Sequence, residues 1–572
     1  MVLGGVLSLC NVYTGLKIGW GTNMSITAAL LAYGFWHLLK SERRPAFNLY
    51  ENNVNQAAAS AGAAISSAGL AAPIPALTII SGQVLSYPAL VIWTLSVSWV
   101  GVIAAAVVRR QMIDQQRLAF PMGIATAETL REIYSRGTEA LRRVAALGAG
   151  AAVAAGIKLV ELFASVPKLT IPGTIMLNIK GAATAVSFKN LTFALEPTLL
   201  MPGIGMIVGK RVGVSMLLGA LIAWGVLGPV ALENGWAAGG KADQLWFGSM
   251  GPWLLWPGAA MMVTSALTSV AFSLGGSSRS KSTLEVEEAN EPPKPVGYEF
   301  PRNTLMVMGA VVSLIVVAVQ VVLFEINVLM AILAVGLTLV LAIVSTRITG
   351  ETGLTPVGAM GKVTQLTFGI LAPGNVAANL MTANVTGGAA SQSGDLMNDL
   401  KTGRLLGAWP RPQILSQLCG VVTGALLGCL AYVILIPDPT GMLLTEEWPA
   451  PAAAQWKAVA LVFKDGVQNL PPMSTLTLAI GGGTGIALVV IEKFAPQHVK
   501  PWIPSAGALG LAFTLPAYTS VAICLGALIG EGFDRVKPKW SVAYKIAIAS
   551  GIIAGESLTG VGIAIQRIVA DL

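Results

Sequence analysis

The sequence predicts an all-α polytopic membrane protein made of two tandem copies of one helical pattern, and three observations predict it. The first is composition: 572 residues, 54% hydrophobic and 11% charged, with mean hydropathy +0.71. A chain this apolar cannot hide its surface in one soluble core. The second is span length. Apolar runs near the ~20 residues that cross a bilayer cover residues 89–108, 217–232, 305–323, 328–344 and 415–436. Dividing the apolar stretches at that length gives roughly 14 to 16 crossings. The third is repetition, which by itself points to a transporter.

The repetition reads as follows. LAFPMGIATAETLREIYSRG at 118–137 and EWPAPAAAQWKAVALVFKDG at 447–466 share an aromatic-Pro pair, a small-residue turn and an amphipathic segment ending in a charge and Gly. AGIKLVELF at 155–163 is echoed by TGIALVVIEKF at 484–494, LTFALEP at 191–197 by GLAFTLP at 510–516, and LLGALIAWG at 217–225 by CLGALIGEG at 524–532. Shared composition could explain any one match but not the shared order. The division is therefore 1–274 for the first repeat, 275–303 for a polar linker and 304–572 for the second repeat. An even number of spans per copy puts equivalent motifs on one side. The expected arrangement is two halves about an approximate two-fold axis along the membrane normal, with both termini and the linker cytoplasmic.

Net charge +8 reflects short basic loops, Lys40, Arg43 and Arg44, then Arg109, Arg110 and Arg117, then Arg142 and Arg143. That is the pattern of a positive-inside topology, so no nucleic-acid partner is expected. The linker, with Arg279, Lys281, Glu285, Glu287, Glu288, Glu291, Pro292, Pro293 and Lys294, reads as disordered. The run from Val2 leads into an Asn/Tyr/Lys motif, not a small-residue cleavage site, and the first span is short at its start.

Sixty-four glycines and 31 prolines are too many for plain lipid-facing rods; they predict close helix contacts and broken or re-entrant helices lining a cavity. Four polar stretches interrupt the apolar background: NVYTGLKIGWG at 11–21, NLYENNVNQAAASAGAAISSAG at 48–69, TRITGETGLTP at 346–356, and the long run from Ala372 to Arg404. The last must face a cavity or a protein interface, because in lipid its amides and hydroxyls would go unsatisfied.

Other chemistries lack their residues. Cys10, Cys419, Cys429 and Cys524 stand singly, without CxxC spacing, and the only histidines are His37 and His498. No resident metal or cofactor is expected, so a metal would arrive only inside a substrate. There is no HExxH, and SGD at 393–395 lacks the partner of an intramembrane protease, so the chain is not read as an enzyme. GGGTG at 481–485 has no following Lys-Ser/Thr and reads as helix packing, not an ATP loop.

These motifs together resemble a family. NVYTGLKIGWG, ENNVNQAAASAG after a Leu/Tyr pair, FPMGIATAE, GDLMNDLKTG followed by Pro410 and Gln417, and GIIAGESLTGVG are similar to the oligopeptide transporter (OPT) family. That family includes the yellow-stripe-like metal-chelate transporters. The resemblance covers nearly the whole chain in order. It implies a prokaryotic-type member in the cytoplasmic (inner) membrane, about 16 transmembrane helices as two eight-span halves, and proton-driven uptake of small peptides or metal chelates. A homodimer is compatible with it.

Candidate residues follow from the polar stretches. The coupling group should be a carboxylate, and the candidates are Glu51, Glu556, Glu128 and Glu351, with Glu51 ranked first because Asn52, Asn53, Asn55 and Gln56 surround it. The competing reading makes Glu51 a helix N-cap residue, Glu128 part of an interfacial helix and Glu351 part of a turn. Substrate-binding candidates are Tyr13, Lys17, Asn52, Asn55, Gln56, Asn375, Asn379, Asn384, Gln392 and Ser393, whose amides suit a peptide-like ligand. Lys17 either binds a carboxylate or snorkels. Asp395, Asp399 and Lys401, with Arg404, are gating candidates in a charge network holding a hairpin. The residues do not separate a coupled transporter from a channel.

Overall fold

The computed structural model describes residues 1–19, 21–39, 47–135, 137–164, 168–179, 182–275 and 299–570. The Lys40, Arg43 and Arg44 loop and the charged centre of the linker lie outside the described residues. Among those described, nine helices are long and apolar enough to cross a membrane, from Tyr87–Gln115 to Pro538–Arg567. Four of the five spans read from hydropathy lie within them, and the fifth, 415–436, runs one residue past the end of Pro410–Leu435. Other helical segments fall outside the nine because they are short, interrupted or polar. Leu49–Ala63 passes into a 3-10 turn, Ala64–Ala68, and resumes only at Pro73–Ser81, with Gly69 at φ +130° making the break. Val376–Leu406 has the length but is too polar.

The expectation of an all-α chain is corrected between the Gly137–Ala164 and Leu200–Val208 helices. There β1 (Leu169–Thr170) pairs antiparallel with β4 (Ala194–Leu195), and β2 (Thr174–Ile179) with β3 (Ala182–Ser187). This stretch is mostly exposed, and its Thr, Ile and Val residues favour extended backbone. The strands are too short for a period-2 signal to stand out in sequence.

Two compact units result, and neither follows the order of the chain. One holds Met1–Gly15, Trp20–Ala145 and Val270–Pro437; the other holds Leu16–Gly19, Ala146–Ser269 and Asp438–Leu572. Each takes segments from both sides of the linker, so the 1–274 and 304–572 boundaries divide the sequence and not the packing.

Glycines show how the segments interlock. In the first unit, a Cβ on Gly420 or Gly424 would strike the Ala58 or Gly62 carbonyl oxygen, and one on Gly101 the Ala389 carbonyl oxygen. A helix from after the linker thus sits against one from before it, and the reverse. The second unit repeats this with the LGALI pair: Gly219 abuts the Leu509 carbonyl and Gly526 the Pro202 carbonyl. Within GGGTG, Gly481 and Gly485 lie against Pro257 and Met261, as expected for packing.

The structure also corrects one sequence register. Phe120 and Ala450 both adopt positive φ, 48° and 41°, just before the prolines that open Pro121–Ser135 and Pro451–Asp465. The partner of Phe120–Pro121 is therefore Ala450–Pro451, two residues beyond the Trp448–Pro449 pair that sequence likeness selects. Backbone conformation, not aromatic identity, is what repeats.

Candidate functional site

The site is centred on Val376–Leu406, a single helix of 31 residues. Every residue from Ala378 to Leu406 is buried except Asp395, which is half-buried. The expected hairpin is thus a continuous helix. Asn375 caps it through the Ala378 amide at 2.9 Å. Thr382 and Thr402 return their hydroxyls to the Ala378 and Asn398 carbonyls at 2.6 and 3.0 Å, so these polar side chains are satisfied locally and do not break the helix. Gly407, at φ +77°, ends it.

Three helices bring polar groups to its second half. Gln392 donates to the Ala61 carbonyl at 3.2 Å. Asp399 accepts from Gln417 at 2.6 Å and from Ser25 at 3.4 Å, while Gln413 donates to the Asp399 carbonyl at 3.0 Å. Gln56 also lies against Asp399, and Asn23 bonds Asp395. Gln56, Gln392, Gln413 and Gln417 each keep an amide oxygen without a hydrogen-bond partner, as do Asn52 and Asn398. These six amide oxygens, on or beside the helix, make a polar seam along its second half.

The first half is closed. Lys362, 1% exposed, donates to Gln365 at 2.8 Å; Gln365 donates to Asn379 at 3.0 Å, and Asn379 returns to the Gln365 carbonyl at 2.7 Å. Beside them Thr386 bonds both Thr338 and Thr364 at 2.8 Å. Sequence reasoning passed over Lys362, Gln365, Ser25 and Gln413, although a lysine inside an apolar helix is a usable signal.

The sequence-named residues separate by place. Glu51 is exposed and closes a capping box with Asn48: its carboxylate accepts from the Asn48 amide at 2.9 Å, and Asn48 accepts from the Glu51 amide at 3.0 Å. Its expected desolvation is therefore corrected. Asn52, Asn53 and Gln56 are buried, because successive residues turn about 100° around the helix and carry the amides away from the exposed side that Glu51 faces. Glu128 is exposed, and Glu351 sits at the surface paired with Arg347 at 3.1 Å. Asn375 is exposed at its cap. Asn52 donates to the Ala29 carbonyl at 3.1 Å, Asn55 is half-buried, and Tyr13, Asn384, Ser393 and Lys401 are buried. Arg404 pairs with Asp114 at 3.6 Å, and Asp114 also meets Arg109 at 3.4 Å. The charge network thus runs to Asp114 on the π-helical turn Arg110–Gln115, while Asp399 takes neutral partners.

In the second unit Glu556, 2% exposed, caps the Leu200–Val208 helix. It accepts from the Leu199 and Leu200 amides at 3.0 and 2.8 Å and from the Thr198 hydroxyl. Lys17 donates to the Glu447 carbonyl at 2.6 Å and lies over the Trp448 ring. In the loop beyond, Lys168 spans Glu196 and Glu446 at 3.8 and 3.5 Å. Burial pushes the Glu446 carboxyl up from its ordinary range, and Lys168 opposes that shift. Among the described residues there is no group of three or more His, Cys, Asp or Glu that could hold a metal ion.

A family model described as OPT oligopeptide transporter protein matches residues 1–566. The chain belongs to the OPT family. Over 98% of its length it is 25% identical to 94% of the "Putative oligopeptide transporter YGL114W" of Saccharomyces cerevisiae. Over 81% of its length it is 23% identical to 71% of the "Metal-nicotianamine transporter YSL2" of rice, Oryza sativa subsp. japonica. Over 81% it is also 25% identical to 70% of a second rice protein, the "Probable metal-nicotianamine transporter YSL9". Family membership makes this OPT chain a multi-pass membrane transporter.

Proposed function

We propose that the protein is a secondary active, proton-coupled importer of small oligopeptides or peptide-like metal chelates in the cytoplasmic membrane of a prokaryote. Its sixteen crossings would be arranged as two eight-span repeats. The observation that carries this reading is the seam along Val376–Leu406, where the amide oxygens of Gln56, Gln392, Gln413 and Gln417 lack partners. Such a surface matches a ligand rich in peptide-like donors, and a ligand that supplies them removes the cost of leaving buried acceptors unpaired. The names of the yeast and rice relatives support the two substrate classes. A metal held by an amino-acid-like chelator presents the same amine and carboxylate groups, so one seam serves both.

A channel-like facilitator is the alternative reading. The test is uptake of di- to hexapeptides and of metal–nicotianamine chelates into proteoliposomes, with an imposed pH gradient and after its collapse. Accumulation above the outside concentration only with the gradient supports the transporter. Uptake that merely follows substrate concentration in both conditions supports the facilitator.

A further inference from the structure

We propose that Asp399 is the carboxylate that carries the coupling proton, with Asp395 passing it in from water. The inference rests on the proton-coupled reading above and assigns the residue within it.

A coupling carboxylate must lie away from bulk water, be reachable by a proton, and have surroundings that accept both its charged and its neutral form. The four carboxylates ranked from sequence fail at least one condition. Glu51, Glu128 and Glu351 are at the surface. Glu556 is buried, but two of the three groups that donate to it are the Leu199 and Leu200 backbone amides, beside the Thr198 hydroxyl, and a backbone amide cannot turn over to accept from the neutral acid.

Asp399 meets all three. It is 1% exposed, and its side-chain partners, Gln417, Ser25 and Gln56, are neutral. The charged group acting on it is Asp395, one helical turn earlier on the same face. Repulsion between a buried and a half-buried carboxylate one turn apart is removed when a single proton neutralises one of them. Other charges on the elements around it point elsewhere: Arg404 to Asp114, Arg131 to the Leu405 carbonyl, and Glu128 to the surface. Lys401, two positions along the helix, is buried beside Gly123.

A route and a receptor for the proton are both present. Asp395 is half-buried and bonded to exposed Asn23, so the pair steps from the exposed surface inward. Gln56, Gln413 and Gln417, all 1% exposed or less, carry amide oxygens without partners around Asp399. Protonated Asp399 has an O–H to donate, and these oxygens are acceptors lacking a donor. Turning one amide over satisfies both, so the site holds the neutral acid as well as the anion. Per cycle one proton leaves water, passes through Asp395 to Asp399, and is released on the other side. The amides that sense it belong to the seam proposed to bind substrate.

The test compares wild type with Asp399→Asn in proteoliposomes, measuring gradient-driven accumulation beside counterflow without a gradient. Wild type should accumulate substrate; D399N should keep counterflow, while its accumulation ratio falls to the uncoupled value of about 1. Dicyclohexylcarbodiimide, which adds to protonated carboxyls in apolar surroundings, should label Asp399 and not Glu556 in wild type, mapped by mass spectrometry. Gradient-driven accumulation by D399N overturns the inference alone, as does loss of counterflow in a folded D399N. If D399N does not fold, the labelling decides, and an unlabelled Asp399 overturns the inference. A wild type indifferent to the gradient overturns the coupled reading together with this one.

Discussion

The backbone amide of Phe120 donates to the carbonyl oxygen of Gly350 at 2.9 Å, tying the start of one helix to the end of another from beyond the linker. The second unit contains the same bond with the copies exchanged, from Ala450 to the Leu16 carbonyl at 2.9 Å. Three residues after each acceptor comes a matching glycine: Gly353 at φ +78° faces Pro121, and Gly19 at φ +89° faces Pro451. A repeat whose elements cross over in this way explains why the packing units ignore the linker.

Those two glycines give the first prediction. A Cβ would lie 3.3 Å from Pro121 at Gly353 and 3.0 Å from Pro451 at Gly19, on top of the left-handed backbone. Gly353→Val and Gly19→Val should each cost about 1–3 kcal/mol and lower the melting temperature in detergent. Gly82→Ala, where φ is +72° but nothing lies within 4 Å, should lose less than either.

Helix contact supplies the second. Gly420→Leu and Gly526→Leu drive a side chain into the Ala58 and Pro202 carbonyls and should cost upwards of about 1–3 kcal/mol, seen as loss of the monodisperse peak on fluorescence size exclusion. Gly483→Leu and Gly532→Leu, with open space around them, should run as wild type.

Asn379→Leu should act on folding and not only on substrate. It strands the Gln365 amide and carbonyl that Asn379 now pairs, at about 1–3 kcal/mol for the groups left unsatisfied. Thermal melting checks it, and an unchanged melting temperature with weakened binding would return Asn379 to the substrate surface.

Glu51 and Glu556 should part company. Glu51→Ala loses half a capping box, about 0.5–2 kcal/mol, and should leave gradient-driven uptake intact. Glu556→Ala removes the acceptor for three donors, and because each was bonded to a charged group it should cost more, about 1.5–3 kcal/mol or above. Melting curves and uptake on the same preparations separate them.

Asp438 yields a pH prediction. The Thr440 hydroxyl and the Gly441 amide hold its carboxyl below the ordinary value of 3.8. A lowered value in the folded state stabilises above the unfolded value, and that stabilisation is lost as pH falls through the lower one. Asp438→Ala should therefore melt below wild type at pH 7, with the difference shrinking below pH 3.8.

Much of the fold was legible because its signals are local. Hydropathy marked the five clearest spans, and the order of motifs marked the repetition. The polar run from Ala372 to Arg404 read as something lipid cannot surround, and from Ala378 onward it is buried except for half-buried Asp395, but its polarity also suggested a break. The hydroxyls of Thr382 and Thr402 turn back on the helix's own carbonyls, which composition does not reveal. Glu51 looked central because four amides adjoin it in sequence. Neighbours in sequence point to different sides of a helix, and the amides went inward while the acid capped the end.

The sequence by itself determined that this chain lives in a membrane as helices, that several of its motifs recur in one order, and that its cysteines and histidines stand singly. Each of these depends on composition or order, which need no folded partner. Only the tertiary structure decided which carboxylates leave water and what meets them there. Asp399 is surrounded by Ser25, Gln56 and Gln417 from three other helices. A contact made across hundreds of residues is set by how glycine-lined helices pack, and helical periodicity names the face but not the neighbour it finds.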